Sequence, residues 1–345
     1  MDAPRVDSDR VKIYAAPRAL EGTLRSDFTL VVKFTRLRDR PIVQWVSALS
    51  HTLAHMGRRY PLCRGHGWLA RNLFPSPGKG SEPVEVGLRS GSRMLVHPDE
   101  FIGRIVFYFG DLDPRISWIC RRVLRPDDVV VDVGANYGVV SLLAAELVGA
   151  SGSVHAFEPQ PHVASLLWRS AQLNGFNQLH VHEVALSEED GELELHIPVG
   201  NLGGASLTRL SGDGSLIKVT VRHGGTVLAE LGLPAIRLLK IDIEGHEAEF
   251  LRSSRDFLRS CPPAVIVFES NDALYETGQH VPFWQRPAVR ELGDLSYEMV
   301  RVGQRFAAVG PRLTRVKPGR DDPGLDFVAV HRPRYEEIAK VLAIS

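Results

Sequence analysis

Ionisable side chains cluster around one glycine in the segment Lys240-Ile-Asp-Ile-Glu-Gly-His-Glu247. The segment ends a hydrophobic run over 236–242 that is typical of a buried strand, and strand alternation predicts that Lys240, Asp242 and Glu244 share one side. A carboxylate or an imidazole here could remove a proton from a nucleophile, and Lys240 could lower the pKa of an acceptor or hold an anionic group. The candidate catalytic residues are therefore Asp242, Glu244, Lys240 and His246.

The cluster also has a purely structural interpretation. Lys240 and Glu244 could form an ion pair, while His246 and Glu247 open the next helix. In open α/β sheets, ligands bind beyond the carboxyl ends of the strands, and a functional cluster at this position would therefore face a ligand crevice. The functional interpretation gains weight if other strands end in ligand-binding groups at the same edge.

Glu269 follows a β-like run over 264–268 and adds a carboxylate at that edge. It could approach a substrate or pair with Lys240. With Asp242 and Glu244 it could also hold a hard divalent cation such as magnesium. Because acidic residues at strand ends are common without a metal, no metal is expected.

A second group of residues, Asp132-Val-Gly-Ala-Asn-Tyr-Gly138, has the spacing D-x-G-x-x-x-G, which differs from the G-x-G-x-x-G of dinucleotide binders. It follows the β-branched run Val129–Val133, typical of a buried parallel strand, and leads into a helix predicted over 138–147. Glycines between a strand and a helix bring backbone N–H groups close to a ligand. Asp132 would place a carboxylate beside a ligand ammonium, which suits S-adenosylmethionine better than a pyrophosphate. An ordinary strand-turn-helix corner is the alternative.

Glu158 ends the next predicted strand, 153–157, and lies twenty positions after Gly138. Nucleotide-binding β-α-β units place an acidic residue about 20 residues beyond the glycine turn, where it accepts hydrogen bonds from ribose hydroxyls. Glu158 is therefore the candidate ribose ligand. Alternatively, it is a solvated cap of the helix predicted over 161–174.

The composition, with 345 residues of which 44% are hydrophobic and 24% charged, is typical of a globular protein. No segment approaches the ~18–20 apolar residues of a membrane helix, and the first ten residues contain no apolar core of a signal peptide. Three scattered cysteines, Cys63, Cys120 and Cys261, predict reduced thiols and a cytoplasmic location. Residues 1–75 hold 13 basic and 6 acidic side chains (+7), and the remainder holds 28 and 35 (−7). This asymmetry indicates either an anionic partner or singly solvated arginines, and we favour the second.

Strands and helices alternate from residue 129 to residue 184, which predicts a parallel sheet with helices on both faces. In an insertion that follows, 192–197 and 217–222 alternate like antiparallel strands. The main pattern resumes at 236–242, with a helix from about Glu247. Two late β-like runs, 297–302 and 325–331, predict an antiparallel pair at the sheet edge.

The N-terminal part of the chain shows no such alternation. A helix is predicted over 41–53, and a strand or helix start over 28–34. The segment 75–83 is rich in proline and glycine and is predicted to be a linker. Beyond it, 84–88 and 93–97 predict a hairpin, and 115–124 predicts a helix. We interpret residues 1–80 as an N-terminal extension and residues 84–345 as one domain with its core at 125–333.

Taken together and in order, these motifs resemble those of FkbM-family methyltransferases, a branch of the class I S-adenosylmethionine-dependent enzymes. The resemblance rests on 132–138, on Phe157-Glu158-Pro159, on Asn174 and on 240–247, and it covers about residues 95–270. It implies a Rossmann-like α/β fold whose mostly parallel, seven-stranded sheet has helices on both faces. It also implies S-adenosylmethionine as the methyl donor and, most often, O-methylation of a sugar or natural-product hydroxyl.

The resemblance assigns roles to individual residues. Glu158 would bind the ribose, and Ala185, in Ala185-Leu186-Ser187 followed by Gly191, resembles the family's third-strand exit where the adenine is held. The full set expected around the cofactor is Asp132, Gly134, Ala135, Asn136, Gly138, Glu158, Pro159 and Ala185. The expected partner is a small-molecule or saccharide substrate, without nucleic acid or membrane insertion, and a homo-oligomer is left open.

Other interpretations stay open. The basic segment 1–75 could serve an RNA methyltransferase, and the chain could be a non-catalytic cofactor-binding scaffold; a nicotinamide oxidoreductase is disfavoured because the middle glycine is missing. The glycine-rich segment 200–207 could fold over a substrate or be a plain surface loop. Four N/S groups, His51, His55, Cys63 and His66, match no common zinc spacing, and ordinary histidines are the expected interpretation.

Overall fold

The computed structural model describes residue 50 and residues 52–59, 65–74, 82–207, 213–270, 281–304 and 310–345. The expectation for 28–34 and most of the helix expected over 41–53 lie outside these residues, as does the linker apart from Glu82 and Pro83. Residues 52–57 are helical.

The regular elements follow the alternation expected from the sequence. The strands are β1 (Val84–Gly87), β2 (Arg93–Val96), β3 (Val129–Val133), β4 (Ser153–Phe157), β5 (Leu179–His182), β6 (Ala185–Ser187), β7 (Gly191–Pro198), β8 (Gly214–His223), β9 (Leu238–Ile241), β10 (Val265–Glu269), β11 (Tyr297–Gly303), β12 (Arg312–Arg315) and β13 (Asp326–His331). The helices are α1 (His66–Asn72), α2 (Phe101–Phe109), α3 (Pro114–Val123), α4 (Val139–Val148), α5 (Pro161–Asn174), α6 (Gly224–Glu230), α7 (Glu247–Ser253), α8 (Arg255–Ser260), α9 (Pro287–Asp294) and α10 (Tyr335–Leu342).

A central sheet has the strand order β12-β11-β13-β10-β9-β3-β4-β5. The five strands from β10 to β5 run parallel, while β13 pairs antiparallel with both β10 and β11. The expected class, a mostly parallel Rossmann-like sheet, is confirmed, and so is the antiparallel pair late in the chain. The sheet has eight strands rather than seven, because β12 adds an antiparallel edge strand to β11.

Helices cover both faces of this sheet because its parallel strands are apolar on both sides. Along β3, Val130 packs into the core that contains Leu142 of α4 and Leu166 of α5. Its neighbour Val131 packs into the opposite core, which contains Phe250 of α7. Each fully buried side chain of this size contributes about 1.5–3 kcal/mol to folding. The two cores therefore fix the position of the β3 end, where the glycine turn begins.

The insertion between β5 and α6 forms a separate sheet of three strands in the order β6-β8-β7. β7 and β8 pair antiparallel along their full length, which confirms the prediction for this segment. β6 is the short continuation of the chain after β5, and it pairs parallel with β8. The loop between β7 and β8 thereby projects towards the carboxyl edge of the central sheet.

Part of the segment interpreted as an N-terminal extension lies against α2. The His66 ring stacks on Phe109 with 4.3 Å between ring centroids, and Phe74 contacts Tyr108 at 4.6 Å. A Cβ added at Gly57 would lie 2.6 Å from the Tyr108 carbonyl oxygen. The described residues of 1–80 therefore pack on the domain that follows, and His66 has a packing role consistent with an ordinary histidine.

The sequence analysis does not predict α2, because Phe-Ile-Gly-Arg-Ile-Val-Phe-Tyr-Phe is a short and mostly apolar run, which fits a buried strand as well as a buried helix. Six of its nine residues are buried, so the helix is covered nearly all round. A Cβ at Gly103 would lie 2.0 Å from the His97 carbonyl oxygen, which lets α2 pack directly on the end of β2.

Candidate active site

A cleft opens at the carboxyl edge of the parallel strands, the position expected for a ligand in this type of sheet. It holds about 870 Å³ of empty space, including space open to solvent. Residues that follow β3, β4, β5 and β9 form its walls. Five of the eight residues expected around a cofactor line it, namely Gly134, Asn136, Glu158, Pro159 and Ala185.

Glu158 lies in the wall of this cleft with 3% of its surface exposed. Its Oε2 accepts the backbone N–H of Asn136 at 2.9 Å, and its Oε1 accepts that of Gln160, which precedes α5, also at 2.9 Å. Burial raises the pKa of Glu158 to about 7, although these hydrogen bonds act in the opposite direction. Because each carboxylate oxygen can accept more than one hydrogen bond, both remain able to accept hydroxyl donors. Glu158 is thus buried rather than solvated.

The turn after β3 does not present the backbone donors expected from its glycines. The N–H groups of Gly134 and Ala135 both donate to the Phe157 carbonyl, at 3.0 and 2.9 Å. Those of Asn136 and Tyr137 donate to the side chains of Glu158 and Asn136 respectively. The expectation of free N–H groups is therefore wrong: the turn is rigidified by internal hydrogen bonds and offers a close backbone surface instead.

Gly134 and Gly138 serve different purposes in this turn. Gly134 has φ +78°, and a Cβ there would lie 1.9 Å from the Asp242 carbonyl oxygen. It therefore allows the turn to touch the loop after β9, and it lines the cleft. Gly138 has φ +89°, and its Cβ would lie 2.0 Å from Leu167 Cδ1. Gly138 thus permits α4 to begin against α5 and contributes to packing.

Asp132 lies fully buried below the cleft rather than exposed in it. Its Oδ1 is 3.2 Å from Lys240 Nζ, and its Oδ2 accepts the Ser141 hydroxyl at 2.6 Å. This corrects the expectation that Asp132 would itself meet a ligand ammonium, because its carboxylate already has an ammonium partner within the protein. The strand position was predicted, but the sequence pattern gives no sign of a partner on β9.

Lys240 connects the two strand ends that frame the cleft. Its Nζ donates to the Gly134 carbonyl at 2.9 Å and lies 3.4 Å from Asp242 Oδ2. Burial acts to lower the pKa of Lys240, but the carboxylates of Asp132 and Asp242 outweigh it and raise the pKa above its ordinary value. Lys240 is therefore a permanent ammonium that holds the turn and the Asp242 loop together, not a proton acceptor.

Three carboxylates gather at the rim of the cleft. Asp242, Glu244 and Glu269 all line it, and each offers an oxygen within 4.8 Å of the others. Glu244 has φ +53° and the adjacent Gly245 has φ +95°, so strand alternation ends before Glu244 is reached. Such a group can accept a proton or bind a divalent cation. The sequence prediction that these carboxylates share one edge is confirmed.

His246 and Glu247 fit the structural interpretation. His246 Nε2 lies 2.8 Å from Ser187 Oγ, and its Nδ1 lies 3.8 Å from Glu249 Oε2. Glu247 is fully buried, and its Oε1 accepts the backbone N–H groups of Ile243 and Gly245 at 3.1 and 3.2 Å. Neither side chain is among the described residues that line the cleft. His246 is therefore not placed to act as the base, which corrects its inclusion among the catalytic candidates.

A second cavity adjoins the first and holds about 820 Å³ of empty space, including space open to solvent. The two cavities share Leu112, Asp242 and Glu269 in their walls. The segment that joins α2 to α3 and the first turns of α3 and α4 complete the second cavity. Sequence reasoning missed this wall, although the Asp113-Pro114 helix start was a signal that a helix N-terminus lay here.

The loop over 200–207 covers the first cavity. Leu202 and Gly203 of its 3₁₀ turn, Leu202–Gly204, line the cleft together with Ala205 and Leu207. The Leu202 N–H donates to Glu100 Oε2 at 2.9 Å, and the Leu202 carbonyl accepts Gln160 Nε2 at 3.0 Å. Of the two interpretations left open for this segment, the structure supports the one in which it folds over the cleft.

Comparisons with known proteins identify relatives of this chain. Residues 132–299 match the family model described as the methyltransferase FkbM domain. The chain is 33% identical over 162 residues to 31-O-demethyl-FK506 methyltransferase FkbM of Streptomyces tacrolimicus, covering 39% of this chain and 62% of that protein. It is 29% identical over 171 residues to the hexuronic acid methyltransferase AglP of Haloferax volcanii, covering 49% and 66%. For the 2-O-methyltransferase NoeI of Sinorhizobium fredii, the identity is 26% over 169 residues, covering 44% and 67%. The match thus spans about three fifths to two thirds of each relative.

Proposed function

Because residues 132–299 place this chain in the FkbM family of methyltransferases, we propose that it transfers the methyl group of S-adenosylmethionine to a hydroxyl oxygen of a saccharide or a secondary metabolite. The observation that carries the proposal is the buried carboxylate of Glu158 in the cleft wall. Strand β4, which Glu158 follows, lies between β5 and β3 in the sheet. A ligand bound at Glu158 would therefore reach the β5 exit on one side and the glycine turn on the other.

From the β5 exit to the loop after β9, the walls of the cleft change from apolar to acidic. Each part of the wall fits one part of S-adenosylmethionine. Ala185 lies among the apolar neighbours Val184 and Leu186 and suits the adenine. Glu158 suits the ribose hydroxyls, because a buried carboxylate accepts hydrogen bonds from vicinal hydroxyls without competition from water. The carboxylates of Asp242 and Glu244 suit the positively charged methionine end.

S-adenosylmethionine, when bound, supplies an electrophilic methyl group on a sulfonium. The protein must align the acceptor with that methyl group and remove the hydroxyl proton. Asp242 and Glu269 line both cavities, and they are therefore the carboxylates that can reach a donor in the first and an acceptor in the second. The proposed methyl transfer does not require a bound cation, because the carboxylates can accept the hydroxyl proton by themselves.

The test is transfer of a labelled methyl group from S-adenosylmethionine to a panel of hydroxylated saccharides and polyketide alcohols, with the product located by NMR. We expect the label on an oxygen atom and S-adenosylhomocysteine as the second product. A label found on nitrogen or carbon would refute the O-methylation. Tight cofactor binding without turnover on any acceptor would support the non-catalytic scaffold instead.

A further inference from the structure

Three imidazoles lie side by side on one face of the central sheet, at its β5 edge. His155 of β4 is directly opposite His180 of β5 in the strand register, and His182 of β5 is opposite Phe157. The ring centroid of His155 is 5.0 Å from that of His180 and 5.5 Å from that of His182, and both pairs are stacked. None of the three imidazoles lines either cavity of the candidate active site, so the proposed methyl transfer does not use them.

Two of these rings point nitrogens at each other with a spacing that suits one shared cation. His155 Nδ1 lies 3.2 Å from His182 Nε2. With metal–nitrogen bonds of about 2.0–2.1 Å, this separation corresponds to an N–metal–N angle of about 100°, close to the tetrahedral value. The Nε2 atoms of His97 and His162 are only 2.6 Å apart and would require an angle of about 80°. The geometry therefore favours His155 with His182 over that other pair of close imidazoles.

The second ring nitrogen of His155 is placed as it is in metal-binding histidines. His155 Nε2 lies 2.8 Å from the hydroxyl oxygen of Ser153, two residues earlier on β4. A histidine that ligates a metal almost always donates its other ring N–H to an oxygen, which determines the tautomer and the ring orientation. Because a hydroxyl accepts as well as donates, Ser153 allows Nε2 to carry the proton. The lone pair of Nδ1 then faces His182.

His182 is held in place and the pair is accessible. Its ring stacks on that of Phe157 with 4.6 Å between centroids and 16° between planes. Burial and the neighbouring imidazoles lower the pKa of His155 to about 3 and that of His182 to about 4, so both rings are in the neutral form that binds metals. His155 is buried, but His182 is half-buried and His180 is exposed, so a cation can enter from the sheet edge.

We propose that His155 and His182 form a site for one divalent transition-metal cation of the class that imidazole binds, such as zinc, and that this cation clips the edge strand β5 to β4. His155 contributes Nδ1 and His182 contributes Nε2. Among the described residues, no third histidine, cysteine or carboxylate atom lies within 4.8 Å of both nitrogens, so water completes the coordination.

The clip adjoins the wall of the adenosyl cleft. The His182 carbonyl accepts the backbone N–H of Glu158 at 3.0 Å, so a cation on His182 would also steady the strand end that carries Glu158. The inference does not depend on the proposed methyl transfer, because the binding of a cation requires neither the methyl donor nor an acceptor.

The test is a titration of the full chain, prepared without a histidine tag and with ¹⁵N-labelled histidine, with zinc chloride alone. NMR of the imidazole nitrogens reports which atoms bind. We expect zinc to shift the Nδ1 signal of one of the 13 histidines and the Nε2 signal of another. Magnesium at the same concentration should shift neither, because it prefers oxygen ligands.

Variants assign the site. His155→Gln and His182→Gln each remove one of the two ligands, and each should weaken zinc binding, measured by calorimetry, by more than the ~10-fold expected for loss of an outer hydrogen-bond partner. Ser153→Ala keeps both rings and should weaken zinc binding by about 10-fold or more. The control is His162→Gln, from the other pair of close imidazoles, and it should bind zinc within about threefold of the wild-type affinity.

Two results would overturn the inference. If no imidazole signal shifts at about 1 mM zinc, His155 and His182 share only a hydrogen bond. If the shifts persist unchanged in both histidine variants, the cation is bound elsewhere. Ser153→Ala keeps the test decisive should those variants not fold, because unchanged zinc affinity in Ser153→Ala would exclude the proposed ligation by His155 Nδ1.

Discussion

The affinity for the adenosyl ligand is predicted to depend on pH through Glu158. Its pKa is raised to about 7 by burial, so the carboxyl is about 90% ionised at pH 8 and about 1% ionised at pH 5. Ribose hydroxyls that donate to Glu158 are bound more tightly by the ionised form, because the protonated carboxyl keeps only part of its acceptor capacity. The association constant of S-adenosylhomocysteine should therefore fall by about 10-fold to at most about 90-fold from pH 8 to pH 5, since affinity is lost as the pH decreases through the pKa of the free protein.

The Glu158→Gln variant separates this effect from other titrations. An amide keeps the size of the side chain but provides one acceptor oxygen instead of two, and hydrogen bonds to a charged group contribute about 1.5–3 kcal/mol each. We expect at least a ~10-fold weaker affinity at pH 8 and little change between pH 5 and pH 8. Calorimetry at half-unit pH intervals provides the measurement.

The control is Glu230→Gln, an exposed glutamate that pairs with Arg222 at 2.9 Å, and it should keep the wild-type profile. If the affinity of the wild-type protein changes by less than about threefold between pH 5 and pH 8, the role of Glu158 is refuted, because the reasoning requires a loss of at least about tenfold over this range. Retention of the full pH dependence by Glu158→Gln would refute it equally.

Three further perturbations test the frame around the cleft. Gly134→Ala places a Cβ 1.9 Å from the Asp242 carbonyl oxygen and should lower the free energy of unfolding in urea by more than ~3 kcal/mol. The control Gly175→Ala, at φ +68° with open space around it, should lower it by only about 1–2 kcal/mol. Equal losses in the two variants would show that the contact with Asp242 is unimportant. Lys240→Met should destabilise the fold by roughly 3–5 kcal/mol, because it leaves the buried Asp132 carboxylate without its ammonium partner. Adding Asp132→Asn should recover part of this stability. If the double variant recovers none, the broken ion pair is not the cause of the destabilisation. At a saturating concentration of S-adenosylmethionine, Asp242→Asn should lower kcat by about 10²–10⁴-fold in the methyl-transfer assay, and an unchanged kcat would exclude Asp242 as the base.

The parallel sheet could be predicted because its strands carry strong local signals. Val129–Val133 is β-branched, and the helices that follow have amphipathic or turn signals at their ends. Glu158 and Ala185 could be placed because a strand end determines which residue faces the cleft. The seven-strand count missed β12, whose four residues Arg-Leu-Thr-Arg contain one buried side chain and too little alternation to be recognised.

The contacts between distant segments could not be predicted. The pairing of Lys240 with Asp132 depends on β9 lying beside β3, and the sequence of neither strand encodes that partner. The internal hydrogen bonds of the glycine turn depend in the same way on the Phe157 carbonyl of β4. Helix α2 was missed because a short and mostly apolar run fits a buried strand as well as a buried helix. The proximity of Asp242 and Glu269, by contrast, follows from the shared edge of their strands.

Within the described residues, no helix is long and apolar enough to span a bilayer. The cleft that would receive the acceptor lies beside the β3 turn, the Glu158 carboxylate and the carboxylates after β9 and β10. The parallel edge of one sheet brings all of these groups together, and their arrangement is the basis of the proposed methyl transfer.

The most direct test of the account is a calorimetric titration of the full chain with S-adenosylmethionine, S-adenosylhomocysteine and NAD in parallel. The account predicts micromolar binding of the two adenosyl ligands, an affinity at least ~10-fold weaker in Glu158→Gln at pH 8, and no heat from NAD. Binding of NAD without binding of either adenosyl ligand would contradict it, because the turn after β3 and Glu158 would then serve a dinucleotide.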